Sequence, residues 1–303
     1  MLRMLLWGGF LALTCGSLAQ AEDWRPTPLS EFLDPASLQP PADGVGAQVV
    51  RGQQEERDTL VTDRPDFTEA SSTVGYGRVQ LEMGYTFAYD DEDGTITRTH
   101  GLPETLFRIG LTDAIELRLF WNYLWQETSD ATGTVADDGA EDFGIGFKLF
   151  LLEEQGLAPE TAVIVGMTTP TGGRSFTSHK VDAGVNLLYS WSLPADWSIA
   201  GSSGYATGSE ATLLAPELLA VDQHGVFTQS VALGIPLNET FGCYLEYFGF
   251  YFHGSDTSGP QHFLNGGFTM LANDDVQLDW RVGMGLNQAA DDFFTGVGYS
   301  QRF

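Results

Sequence analysis

The sequence predicts an all-β protein, specifically an antiparallel up-and-down transmembrane β-barrel of about 12 strands. Three observations carry this. From Gly77 onward the apolar residues recur with a period of two, not 3.6. The connections alternate between tight turns and longer polar loops. Aromatic residues crowd the strand ends (Tyr89, Trp121, Trp125, Trp191, Trp197, Phe293), and the chain closes on Phe303.

Arg3 is the single charge in residues 1–21, an apolar run follows it, and Ala19-Gln20-Ala21 offers a signal-peptidase site, so residues 1–21 read as a secretory signal. A lipoprotein signal ending at Cys15 is the weaker reading, because Thr14 is larger than the residue usual there. Residues 22–57, rich in Pro, Gln, Glu and Asp without periodicity, read as a flexible periplasmic leader. Residues 58–76 form a pre-barrel segment. Its charged and aromatic residues Asp63, Arg64, Asp66 and Phe67 leave two readings open: a lead-in beneath the barrel, or a plug inside it.

The barrel itself spans 77–303. In its first strand Val79, Leu81, Met83, Tyr85, Phe87 and Tyr89 alternate with polar or small residues, and Ile115, Leu117, Leu119, Trp121, Tyr123 and Trp125 repeat the pattern. The remaining strands are expected near 105–111, 142–151, 161–169, 180–192, 196–207, 223–235, 241–252, 261–271, 275–287 and 292–303. Each is close to the roughly 9–11 residues that cross a bilayer at a tilt. Tight turns fall at 112–114, 193–195, 236–240 and 273–274; loops are expected at 127–141, 170–179, 208–222 and 253–260. The connections 152–160 and 288–291 fit the alternation poorly. Alternation alone does not say which face is inside, so a soluble barrel with an apolar interior has to be weighed against the membrane barrel.

Composition removes other classes. With 14 Lys plus Arg against 41 Asp plus Glu, the net charge is −27, which leaves no footprint for nucleic acid. Two cysteines, Cys15 and Cys243, exclude a four-cysteine zinc site, and the five histidines show no i, i+4 pair, so neither a metal nor another cofactor is expected. His253-Gly254-Ser255-Asp256 invites a hydrolase reading, but adjacent residues of one loop seldom reach triad geometry. No enzyme is expected. The acidic runs Asp90-Asp91-Glu92-Asp93 and Asp137-Asp138 with Glu141 and Asp142 read as a solvated rim.

Thr62 to Glu69 (TDRPDFTE), Pro103 to Leu119 (PETLFRIGLTDAIELRL), Asp142 to Lys148, Thr168 to Gly172 and Gly296 to Phe303 (GVGYSQRF) together resemble the outer-membrane transporter family named for the MetA pathway of phenol degradation. The resemblance covers roughly residues 62–303. It implies an outer-membrane barrel of a Gram-negative-type bacterium with a loosely assigned transport role. Tyr299 and Phe303 are similar to the assembly signal read by the barrel-insertion machinery.

Placing the polar face inside puts Arg78, Glu82, Arg108, Glu116, Arg118, Asp142, Lys148, Asp182, Glu246, Asp279, Arg281 and Arg302 in the lumen, with Glu116/Arg118 and Asp279/Arg281 as expected pairs. Six of the 14 bases fall on this one face. In a wet lumen, water screens such pairs to about 1 kcal/mol each. The expected function is passive transport of small solutes, aromatic or hydrophobic ones included, with lipid and solute as partners. The alternatives are a non-conducting structural or partner-binding barrel and a soluble periplasmic ligand-binding barrel.

Overall fold

The computed structural model describes residues 59–215, 218–254 and 259–303; the side chains of 210–220 are not described. The expected signal with Cys15, the leader, and Ser255 and Asp256 lie outside the described residues.

Thirteen strands occur among the described residues: β1 Val79–Glu92, β2 Thr95–Gly110, β3 Ile115–Asp130, β4 Gly133–Ala140, β5 Phe143–Leu152, β6 Glu160–Thr169, β7 Asp182–Ser192, β8 Ser198–Ala215, β9 Leu218–Pro236, β10 Phe241–His253, β11 Gln261–Asn273, β12 Val276–Gly285 and β13 Phe293–Arg302. Both β4 and β5 pair with β3, so they are two halves of one stave broken at Glu141-Asp142. That makes 12 staves, as the alternation predicts. Neighbours in sequence are neighbours in the wall, every pairing is antiparallel, and β1 meets β13 to close the ring from Gln80↔Arg302 to Tyr89↔Phe293. Closure leaves no open edge in the wall, which a lipid-embedded sheet requires.

The outward face is apolar. Leu245, Phe268 and Trp280 are 54 %, 49 % and 43 % exposed, while their inward neighbours Glu246, Asn265 and Asp279 are buried. This overturns the soluble-barrel reading, which needs the apolar face inside. Tyr299 and Phe303 are exposed on the outside. Cys243 is free and shares the outward parity of Leu245.

Of the four expected loops, 170–179 falls between β6 and β7 and 253–260 begins where β10 ends, but the other two are long hairpins. The β2 and β3 strands have 16 residues each, β8 has 18 and β9 has 19. The segments expected as loops at 127–141 and 208–222 are therefore strand continuations. In β4, Gly133–Asp138 are exposed on both faces, so the apolar alternation vanishes there while pairing to β3 continues. Both chain ends of the barrel lie at the short-turn end, where Phe303 N–H donates to Val79 O at 2.8 Å.

Candidate functional site: the barrel lumen

Residues 59–76 have no regular structure, and a buried irregular backbone needs partners for its N–H and C=O groups. The chain enters at the short-turn end, where Leu60 N–H donates to Asp274 O at 2.8 Å. From there it bonds inward-facing side chains around the ring. Val61 O accepts from Gln80 Nε2 (2.9 Å) and Arg108 (3.1 Å). Ser72 O accepts from Arg108 (3.1 Å), and Ala70 O from Lys148 Nζ (2.7 Å). Val74 N–H donates to Glu116 Oε2 at 3.0 Å. The contacts reach β1, β2, β3, β5, β10 and β12, so the segment lies within the ring of strands.

Asp63 is the centre of the charged half. Its N–H donates to both oxygens of Glu82 at 3.1 Å. Its carboxylate pairs with Lys148 at 2.9 Å, with Arg108 at 3.4 Å and, more closely, with Arg118. Arg118 also pairs with Glu69 and with Glu116 at 3.0 Å, and Arg108 Nε reaches Glu116 at 2.9 Å. Burial alone would raise the Asp63 pKa, but Arg108, Lys148 and Arg118 override it and hold the carboxyl well below the ordinary range. Arg108, Glu116 and Lys148 are 0 % exposed. The expectation of water-screened pairs is thereby corrected: the protein itself fills this part of the lumen.

Further along, Arg64 lies across the paired glycines Gly84 and Gly298, where any Cβ would overlap its guanidinium. It bonds Glu104 at 3.1 Å and Asp279 at 3.4 Å. Asp279 therefore pairs with Arg64, not with Arg281 as expected. Arg281 instead donates to Pro65 O (3.1 Å) and Thr86 Oγ1 (2.6 Å), with Glu104 3.8 Å away. A two-residue spacing puts the two side chains on one face, but the incoming segment supplies nearer partners. Glu246 accepts from Phe67 N–H (2.8 Å), Thr68 N–H (2.7 Å) and Asn265 Nδ2 (2.8 Å).

Beside this polar network lies an apolar one that the charge pattern does not reveal. Phe248, Phe250, Phe263 and Phe294 face inward, are buried, and pack with Ala88, Val226 and Ala290. Phe67 stacks on Phe248 with ring centroids 4.8 Å apart and planes at 16°, and Phe248 stacks on Phe263 at 4.8 Å and 14°. The aromatic parity on β10 is the signal: Phe248 and Phe250 share the face of Glu246, so that strand is apolar on both sides.

The other expected lumen residues sit toward the two ends. Arg302 pairs with the exposed Asp275 at 2.7 Å, and Arg78 lies just ahead of β1, where its N–H donates to Gly75 O at 3.4 Å. Asp182 accepts from Ser209 Oγ (2.8 Å) and Gln223 Nε2 (3.1 Å). Asp142, at the break between β4 and β5, fastens the 170–181 connection: it accepts from Gly172 N–H and Ser178 N–H (2.8 Å each) and from Ser178 Oγ (2.7 Å). These bonds overcome the opposing effect of burial and lower its pKa. Asp142→Ala removes all three, each a charge-assisted bond worth about 1.5–3 kcal/mol. Trypsin should then cut the intact barrel faster at Arg174 or Lys180; an unchanged rate would mean the connection is held elsewhere.

Of the rim acids, Asp138 accepts from Tyr123 OH at 2.5 Å, and Asp91 N–H donates to Asp292 at 3.1 Å. Asp291, in the connection before β13, is pushed up to about 6 by burial and by Asp90 and Asp292. Among the described residues no group of three or more His, Cys, Asp or Glu side chains is arranged to hold a metal ion.

A closed 12-stave ring with an apolar outer surface and a charged, occupied lumen defines an outer-membrane β-barrel. The chain belongs to the family described as "Putative MetA-pathway of phenol degradation", whose model matches residues 62–303 and so includes most of the inserted segment. No curated protein matches it. Among solved structures it is similar to the COG4313 outer membrane channel from Pseudomonas putida F1, at 12 % identity and a TM-score of 0.57 over 79 % of this chain and 100 % of that one. The translocator domain of autotransporter NalP from Neisseria meningitidis is similar at 12 % identity and a TM-score of 0.52, over 76 % of this chain and 89 % of that domain. At such identities the likeness is one of fold.

Proposed function

We propose that this barrel is a passive outer-membrane channel for small, weakly polar solutes, aromatic ones included, and that residues 59–76 are its plug. The observation that carries the reading is the buried cluster Phe248, Phe250, Phe263 and Phe294 on the inward face. Contact with lipid asks for aromatics outside, not inside, so an apolar patch in the lumen gives a weakly polar solute a surface to bind along its path. Family membership and the channel name of the Pseudomonas putida protein point the same way. The lumen charges Glu82, Arg108, Glu116, Arg118, Lys148, Glu246 and Asp279 act in this reading as fastenings for the plug, and opening means releasing them.

The complete burial of Arg108, Glu116 and Lys148 equally favours a second reading, a permanently closed structural barrel. Planar-bilayer recording of the purified barrel separates the two. Brief openings in an otherwise closed record support the plugged channel; total silence, in wild type and in variants with weakened fastenings, supports the structural barrel.

The plug should also respond to pH. Asp66 is held well above the ordinary carboxylate range by burial and by the neighbouring Glu246, Asp63 and Asp279 carboxylates. For an acid raised in the docked state, docking is favoured in full below its free pKa and weakens as pH rises through the raised value. Open probability should therefore increase as pH rises through that raised value, and Asp66→Asn should flatten the response. A response unchanged in that variant would assign it to another group.

A further inference from the structure

We propose that the Phe67 ring occupies a ring-binding slot on the lumen wall, and that an uncharged monocyclic aromatic solute takes its place there and thereby loosens the plug. The inference rests on the channel reading above and adds to it the solute class and the means of opening.

The slot is built from wall residues. Phe248 offers a ring face, with the Phe67 centroid 4.8 Å away and the planes at 16°. Phe250 offers an edge at 5.3 Å and 79°. Behind them Phe263 continues the stack at 4.8 Å and 14°, and Phe294 packs against both. These separations and angles are those at which aromatic pairs attract beyond their area of contact. Phe67 is the one ring in this group that belongs to the inserted segment, and it is only half-buried, whereas the four wall rings are buried. A solute ring therefore competes with a side chain that leaves part of itself uncovered.

Displacement reaches the plug through the backbone. The N–H groups of Phe67 and Thr68 donate to Glu246, which stands two residues before Phe248 on the same inward face. Moving the Phe67 ring off Phe248 pulls on both bonds at once.

Charge selects among aromatic solutes. Asp66 is adjacent to Phe67, and Glu246 holds its N–H. The cation on the far side, Arg281, lies over Phe294 at 5.9 Å and already donates to Pro65 O and Thr86 Oγ1. An aromatic carboxylate would stand beside the Glu246 carboxylate, which accepts from the Phe67 and Thr68 N–H groups, so an uncharged ring is preferred.

The test is calorimetric binding to wild type and to Phe67→Ala in detergent, with benzyl alcohol, benzoate and the non-aromatic cyclohexylmethanol as probes. A ligand whose site is free in only a fraction of molecules binds more weakly by that fraction. If Phe67 vacates the slot about one-tenth of the time, the Ala variant binds benzyl alcohol about tenfold tighter than wild type. Benzoate and cyclohexylmethanol should both bind the variant more weakly than benzyl alcohol. Equal affinity of the two proteins for benzyl alcohol, or benzoate bound as tightly as benzyl alcohol, overturns the inference. Should Phe67→Ala not assemble, Phe67→Leu, which removes the ring but keeps apolar contact with Phe248, serves instead and is read by the same criteria. Binding is measured without any current, so a silent barrel that gains affinity refutes the channel and keeps the slot, while a conducting barrel that gains none refutes the slot alone.

Discussion

Asp63→Asn should turn a mostly closed barrel into one that conducts for much of the record. The substitution keeps the shape and one acceptor oxygen, so Ala70 N–H retains its bond, 2.9 Å in the wild type. The negative charge that pairs with Arg118, Lys148 and Arg108 is lost. Removing one partner from a buried charge cluster costs about 3–5 kcal/mol, since the remaining charges stay desolvated. In the plug reading proposed above, residues 59–76 have an alternative: undocking would let lumen water reach the three bases. A shift of that size changes a docking equilibrium by more than a hundredfold, at about 1.4 kcal/mol per factor of ten. Single-channel recording and liposome swelling both read the change. A closed Asp63→Asn barrel with normal heat-modifiability would remove Asp63 from the fastening. Acid is not a substitute for the mutation. A depressed carboxyl contributes in full above its free pKa and fails only as pH falls through the lowered value, so mild acid should leave this contact intact.

The fold was legible because a membrane barrel writes its geometry as a period of two, and 12 staves follow from counting alternating segments. The lumen charges were legible for the same reason: once Leu117 and Leu119 face lipid, Glu116 and Arg118 must face inward. What escaped were features that alternation does not encode. The outer part of the β3–β4 hairpin is exposed on both faces and carries no apolar alternation. The path of residues 59–76 is irregular, so nothing in their spacing decided between a lead-in and a plug. Partner choice also escaped, because Asp279 and Arg281 share a face yet each bonds the incoming segment. The inward phenylalanines were legible in principle. On β10, Leu245 and Tyr247 face outward, while Phe248 and Phe250 occupy the parity that a wet lumen would fill with polar groups.

Arg108→Met should destabilise the barrel by several times what a water-filled lumen predicts. Arg108 is fully buried and spends its guanidinium on five bonds: two to Glu116 at 2.9 Å, one to Glu82 at 3.1 Å, and one each to Val61 O and Ser72 O at 3.1 Å. Met fills much of the same volume without donors, so the Glu82 and Glu116 carboxylates lose their shared cation and two plug carbonyls lose a donor. If lumen water screened these pairs, the loss would be about 1 kcal/mol. In the dry arrangement it is about 3–5 kcal/mol. Denaturant midpoints of the folded, heat-modifiable form in detergent distinguish the two values. Adding Glu116→Gln to Arg108→Met removes one stranded charge and should restore part of the loss. Recovery stays incomplete, because Glu116 also pairs with Arg118 at 3.0 Å and accepts from Val74 N–H at 3.0 Å. The coupling between the two positions should lie near the upper end of the roughly 0.5–3 kcal/mol found for residues of one network. Additive effects, or a loss near 1 kcal/mol for Arg108→Met alone, would mean that water enters this half of the lumen and that its charges brace the wall without holding the plug.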